Sequence, residues 1–172
     1  MQPLDVLHLS QVTDELAATG KRVKVLWQRP ESLAFVARGR EYRSEFHVNE
    51  SDEVTYMIKG TMRLHYRTPE GKEEVAVIPE GATNFMPAGT PHSPRFPPDA
   101  FAMILERGRR PGEIDRFHWY CAGCGGFLHE ETFVVDDYTN DPVSQAYKRF
   151  FDSVAARTCR ACGTVMPAPA GP

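Results

Sequence analysis

From Arg22 onward the chain alternates apolar and polar positions with a period of two, the spacing of strands that bury one face. RVKVLW, SLAFVAR, YRSEFHV, EVTYMIK, MRLHYR, EEVAVI, TNFMP and FAMILER follow one another, separated by Pro, Gly or charged turns. TPEGKE, residues 68–73, reads as a hairpin turn between two of them. This many short antiparallel strands predicts a sandwich or barrel, in which closure manages the exposed edges. Ahead of them, a short helix is predicted over Ser10–Thr19, with Ser10 as N-cap, Asp14 and Glu15 in its early turns and Gly20 as its stop.

The texture changes at Asp115. FHWYCAGCGGFLHEETFVV reads as a strand, a cysteine turn and a second strand. DPVSQAYKRFFDSVAA then predicts a helix with Asp141 as N-cap and Pro142 in its first position, and with Val143, Ala146, Phe150 and Val154 along one face. VMPAPAGP closes the chain as a tail.

Composition narrows the class without choosing a chemistry. With 172 residues there is enough chain for one core and a small appendage. A hydrophobic share of 41% against 25% charged residues is a globular balance. A net charge of −3 offers no footprint for nucleic acid or an anionic membrane. The first residues lack a basic, then apolar, leader pattern, and no apolar run is long enough to span a bilayer, so a soluble cytoplasmic protein is expected.

Candidate chemistry gathers in two stretches. Alternation along EYRSEFHV puts Arg43, Glu45 and His47 on one face, an odd set for a core or a plain surface. His47 is followed six residues later by Glu53 and, further on, Gly81, Pro87, Gly89 and His92 fall at G-x5-P-x-G-x2-H. These stretches resemble the two signature motifs of the cupin superfamily, a small jelly-roll barrel with a metal in its mouth. Where many cupins carry a second histidine in the first motif, this chain has Asn49. The resemblance leaves His47, Glu53 and His92 as metal ligands, a two-histidine, one-carboxylate set suited to iron(II) acting on oxygen. His8, His65, His118 and His129 stand outside these spacings and read as structural or exposed.

PHSP (91–94), ILERGR (104–109), DRFHWYC (115–121) and the cysteine pairs fall in the order seen in the bacterial 3-hydroxyanthranilate 3,4-dioxygenase family, and the resemblance runs from Arg43 to Cys162. It implies an iron(II) enzyme that opens the ring of a small aminophenol carboxylate by inserting both atoms of oxygen, with a product that cyclises to quinolinate. Arg43 matches the arginine beside the substrate and oxygen site. Glu106 matches the glutamate that contacts the substrate and is a candidate proton acceptor; its plainer reading is an ion pair with a neighbouring arginine. Glu53 stands at the substrate as well as at the metal.

Two segments depart from the family. HSPRF replaces HSPQR, so Phe96 holds the place of the carboxylate-binding arginine unless one residue has been deleted and Arg95 takes it. VARGRE stands where the family has a glycine-rich GGPN segment.

Cys121, Cys124, Cys159 and Cys162, as CAGC and CRAC, resemble a rubredoxin-like knuckle or zinc ribbon that holds structural Fe or Zn. Its neighbours include HEETFVVDD, which would repel phosphates, so no nucleic-acid partner is expected. The resulting expectation is mostly β: a cupin jelly-roll barrel with an N-terminal helix over residues 1–114, and a strand–helix extension with the knuckle over residues 115–172. A homodimer through edge strands is expected. Two alternatives stay open: the same chemistry on a different ortho-aminophenol or catechol acid, and a metal-binding cupin that senses a ligand without turning it over.

Overall fold

The computed structural model describes residues 6–40, 42–135 and 142–168. A helix, α1 (Leu9–Thr19), precedes strands β1 (Val23–Arg29), β2 (Ser32–Arg38), β3 (Phe46–Val48), β4 (Glu53–Lys59), β5 (Met62–Arg67), β6 (Glu73–Ile78), β7 (Thr83–Met86), β8 (His92–Arg95) and β9 (Phe101–Glu106). After these come β10 (Asp115–Tyr120), β11 (Phe127–Phe133), α2 (Pro142–Asp152) and α3 (Val154–Arg157).

Two antiparallel sheets hold the strands, in the orders β1-β2-β9-β4-β7 and β11-β10-β3-β8-β5-β6. Within them, β2 to β9 alternate as 2-9-4-7 and 3-8-5-6, the two interlocked Greek keys of a jelly roll. β1 lengthens one sheet beyond β2, and β10 and β11 lengthen the other beyond β3. Met57, Met62, Leu64, Ile78, Met86, Phe96 and Ile104 form the core between the sheets. α1 covers the outside of the first sheet, with Val12 and Leu16 against Val36 and Phe101. No helix among the described residues is long and apolar enough to cross a membrane.

Four local departures from the sequence pattern have physical causes. α1 begins at Leu9 with His8 as N-cap and no side-chain cap, rather than after Ser10. The earlier start lets Leu9 join Val12 and Leu16 against the sheet. β3 keeps only the last three residues of YRSEFHV, because the Ser44 N–H donates to the Tyr147 hydroxyl at 2.8 Å instead of to a strand. β8 forms in PHSPR, a segment whose prolines hide it from strand signals. The last helix breaks at Ser153, whose extended backbone and Oγ, accepting from Ala156 N–H at 3.2 Å, start α3 afresh. Val154 therefore faces outward, 59% exposed, while Val143, Ala146 and Phe150 are buried as the helical spacing predicts. The N-cap assigned to Asp141 lies outside the described residues.

Candidate active site

The three side chains expected to hold a metal converge. His47 on β3 and His92 on β8 are cross-strand partners, and Glu53 opens β4 in the facing sheet. One ligand atom from each lies within 4.8 Å of the others. The backbone carbonyl of Thr90 accepts from His92 Nδ1 at 2.8 Å, which leaves Nε2 aimed at Glu53 Oε2, 3.3 Å away. Asp115 Oδ2 engages His47 Nε2 at 2.6 Å, so Nδ1 is the nitrogen left for a ligand bond. Two imidazoles oriented from behind and one carboxylate form a donor set that fits a divalent transition metal.

The electrostatics fit the same use. Burial pushes the Glu53 carboxyl up, but the charge and hydrogen bond of His92, with His47, outweigh it and hold it at about 2. His92 is raised, because Glu53 outweighs the burial that opposes its charge. His47 is lowered by burial against the pull of Asp115. Glu53 and His92 thus favour each other's charged forms, and a cation bound at Glu53 would compete with the proton on His92.

A buried polar ring links the ligands behind the site. The Asn49 amide donates to Glu53 Oε2 at 2.9 Å and to Glu106 Oε2 at 3.2 Å. Arg109 donates from NH1 to Glu106 at 2.8 Å, and from Nε and NH2 to the two oxygens of Asp115 at 2.5 and 2.9 Å. Asp115 in turn reaches His47. Glu106 is pushed up to about 8, first by burial and then by the charge of Glu53, against Arg109. It is thus able to hold or accept a proton near neutrality on the cavity wall, while it is also the ion-pair partner of Arg109. Sequence reasoning missed Asn49, Arg109 and Asp115 as parts of the site. The segments of Arg109 and Asp115, ILERGR and DRFHWYC, carried the family resemblance without a role for either residue, and Asn49 was singled out only as standing in place of a histidine.

All of these groups except Asn49 line a cavity of about 190 Å³ that also takes in Arg43, Phe96 and Phe117. Arg43 enters it beside His47, with its Nε 2.8 Å from Glu45 Oε1. Glu45 is fully buried and absent from the cavity wall, so the expected face of Arg43, Glu45 and His47 is divided: Glu45 backs Arg43 rather than standing beside it. Arg95 is not brought to the cavity. In β8, His92 and Pro94 point inward, so alternation turns Arg95 outward, where its guanidinium lies 5.6 Å from the Phe46 ring centre and donates to Ser93 Oγ at 3.3 Å. Phe96 lines the cavity instead, 8% exposed. The two segments that depart from the family meet here. Arg40 N–H donates to the Phe96 carbonyl at 3.0 Å, and a Cβ on Gly39 would fall 2.1 Å from the Pro97 carbonyl oxygen, which only glycine permits.

Residues 19–151 match the family described as 3-hydroxyanthranilic acid dioxygenase. The chain belongs to this family. A 3-hydroxyanthranilate 3,4-dioxygenase of Bacillus thuringiensis (strain Al Hakam) is 33% identical over 99% of this chain and 95% of its own. A Shewanella woodyi protein of the same name is 32% identical over 83% of this chain and 75% of its own. Among solved structures, protein NMB1881 of Neisseria meningitidis covers 60% of this chain and all of its own at 20% identity, with a TM-score of 0.48.

In this member of the 3-hydroxyanthranilic acid dioxygenase family the four cysteines also come together, each Sγ within 4.8 Å of the rest. Two equivalent turns present them. Gly125 N–H donates to the Cys121 carbonyl at 2.8 Å, and Gly163 N–H to that of Cys159 at 2.9 Å. Both glycines take positive φ, 71° and 73°. Gly123 N–H points at Cys121 Sγ from 3.3 Å, and the Thr164 hydroxyl stands 3.3 Å from Cys162 Sγ. A tetrahedral metal of the Fe or Zn type fits four such sulfurs.

Proposed function

We propose that the chain is an iron(II)-dependent dioxygenase that cleaves the ring of 3-hydroxyanthranilate, placing both oxygen atoms in 2-amino-3-carboxymuconate semialdehyde, which cyclises to quinolinate. The observation that carries this reading is the convergence of His47, Glu53 and His92 in a cavity shared with Arg43 and Glu106, in a chain of this family.

His47, Glu53 and His92 would hold the iron. When bound, it supplies a redox-competent centre that couples the electron-rich ring to oxygen. The chain's own groups do the rest. Arg43 offers a guanidinium to the anionic end of the substrate. Glu106, poised near neutrality, accepts a proton from the substrate's hydroxyl or amine. Asn49 keeps Glu106 and Glu53 in register through one amide. Phe35, Met62, Ile104 and Phe117 supply apolar wall that excludes water from the reacting ring. Fe or Zn at the four cysteines has a structural role.

Phe96 on the cavity wall and Arg95 outside it favour a second reading, the same chemistry on an aminophenol or catechol whose carboxylate is absent or moved. A ligand sensor without turnover would have no use for a proton acceptor at neutral pH. Oxygen uptake by the anaerobically iron-loaded protein, with 3-hydroxyanthranilate, 2-aminophenol and a catechol acid, separates the three. Stoichiometric uptake with the first substrate preferred is the expected result. No uptake with any substrate, despite a filled barrel site, overturns the enzyme reading.

A further inference from the structure

The segment that carries Arg43 is held from outside the barrel. Glu45, fully buried, is held from two sides: its Oε1 lies 2.8 Å from Arg43 Nε, and the Tyr147 hydroxyl of α2 donates to its Oε2. The same hydroxyl accepts the Ser44 N–H at 2.8 Å. Trp119, fully buried on β10, donates its indole N–H to Ser44 Oγ at 3.1 Å. The residues that carry Arg43 therefore belong to no sheet ladder; two side chains of the C-terminal extension hold them. Burial, and then the charge of Glu45, raise the Tyr147 phenol well above its ordinary range, so it stays a donor.

Those two side chains are themselves tied to the cysteine knuckle. Trp119 lies two residues before Cys121 and stacks on Phe150 of α2, ring centres 4.3 Å apart and planes at 16°. α2 runs through α3 to Cys159, and Met166, just past the second cysteine turn, packs into the same cluster as Phe150 and Trp119. Arg157 and Met166 exchange hydrogen bonds, Met166 N–H to the Arg157 carbonyl at 2.9 Å and Arg157 NH1 to the Met166 carbonyl at 2.7 Å. A metal held by the four sulfurs would clamp the end of β10 to the end of the helical segment, the two pieces that grip Ser44 and Glu45.

We propose that Tyr147 and Glu45 are positioning residues for Arg43, and that the four-cysteine site acts on substrate binding through them. The link to substrate rests on the ring-cleavage reading; the link to Arg43 does not. A half-buried guanidinium with a fully buried carboxylate 2.8 Å away has its direction set by that partner, and the partner's other oxygen is set by Tyr147. The barrel ligands are held by Asp115, Thr90 and Asn49 instead, so the two supports are separable.

Tyr147→Phe removes one oxygen and keeps the ring contacts, and two readouts test it. The first is the Nε–H resonance of Arg43 in 15N-labelled protein, which needs neither substrate nor turnover. Its shift is set by the Glu45 oxygen 2.8 Å away and should move measurably in the variant. The second is steady-state kinetics with iron content matched. KM for 3-hydroxyanthranilate should rise about five- to twentyfold with kcat nearly unchanged, and the rise should vanish in an Arg43→Ala background. Glu45→Gln, which keeps shape and loses charge, should repeat both effects should Tyr147→Phe prove unstable. An unchanged Arg43 resonance in both variants overturns the positioning role whatever the substrate is. A changed resonance with an equal KM rise in the presence and absence of Arg43 overturns its connection to substrate binding.

Discussion

His47 and Asp115 stand 68 positions apart in the chain and 2.6 Å apart in space, ring Nε2 to carboxylate Oδ2. Asp115 is 1% exposed and is also gripped by two of the three guanidinium nitrogens of Arg109, so its charge is balanced and its direction set. A carboxylate behind a ligating imidazole fixes the ring and raises its basicity, and its loss typically costs about 10- to 100-fold in metal affinity. Asp115→Asn should weaken the barrel metal by that factor and leave the cysteine metal in place. Competition with a chelator of known affinity reads this directly; equal affinity in the variant would mean that Asp115 does not orient His47.

Glu53→Ala should abolish oxygen consumption and strip only the barrel metal. Metal analysis after anaerobic reconstitution should fall from two metals per chain, one for each ligand cluster, to one. Full activity in this variant would sink the triad.

The three converging side chains were legible because each lies in a short motif of fixed spacing, His47 with Glu53 and His92 with Gly81, Pro87 and Gly89. The strands were legible through their period of two. What was not legible depends on distant residues. Nothing near Ser44 announces that Tyr147, 103 residues on, will take its N–H and make β3 start late. Nothing local tells a buried Asp115, Arg109 or Asn49 from an exposed one, since only the assembled ring satisfies them. Pro91 and Pro94 hid β8, and with it the alternation that turns Arg95 outward.

Metal uptake should depend on pH with a definite sign. Glu53 raises the pKa of His92, so below that pKa an incoming cation has to displace a proton. Affinity should fall by about one log unit per pH unit as pH drops through this range, and level off above it. Titrations across roughly pH 6 to 8, bracketing the ordinary histidine value, test it. A flat profile would show that His92 is already neutral in the metal-free protein.

Cys121→Ser should lower thermal stability or solubility, because tetrathiolate ligation of a structural metal contributes directly to folding. The soluble, iron-loaded fraction should keep kcat for ring cleavage while KM rises. Complete loss of turnover in a folded, iron-loaded variant would give the cysteine site an electron-transfer or catalytic part.

The positions of Arg95 and Phe96 make the substrate testable. A guanidinium that met the ring carboxylate in a dry pocket would cost about 3 to 5 kcal/mol on removal, a factor of hundreds or more in kcat/KM. The Arg95 guanidinium has no such setting: its side chain is 33% exposed, it touches Ser93 Oγ and the Phe46 face, and Glu73 is 4.0 Å away. Contacts of that kind contribute about 1 kcal/mol or less. Arg95→Ala should therefore leave KM for 3-hydroxyanthranilate within about fivefold of the parent. Arg43→Ala should raise it far more, since Arg43 reaches the cavity beside His47. Kinetics of both variants on 3-hydroxyanthranilate and on 2-aminophenol, which lacks the carboxylate, separate the cases. A hundredfold loss confined to the acid in Arg95→Ala would mean that β8 shifts to bring Arg95 inward on binding. A parent enzyme that cleaves 2-aminophenol better than the acid would overturn the substrate and leave the ring-cleavage chemistry standing, with Phe96 as the residue that removed the carboxylate's partner.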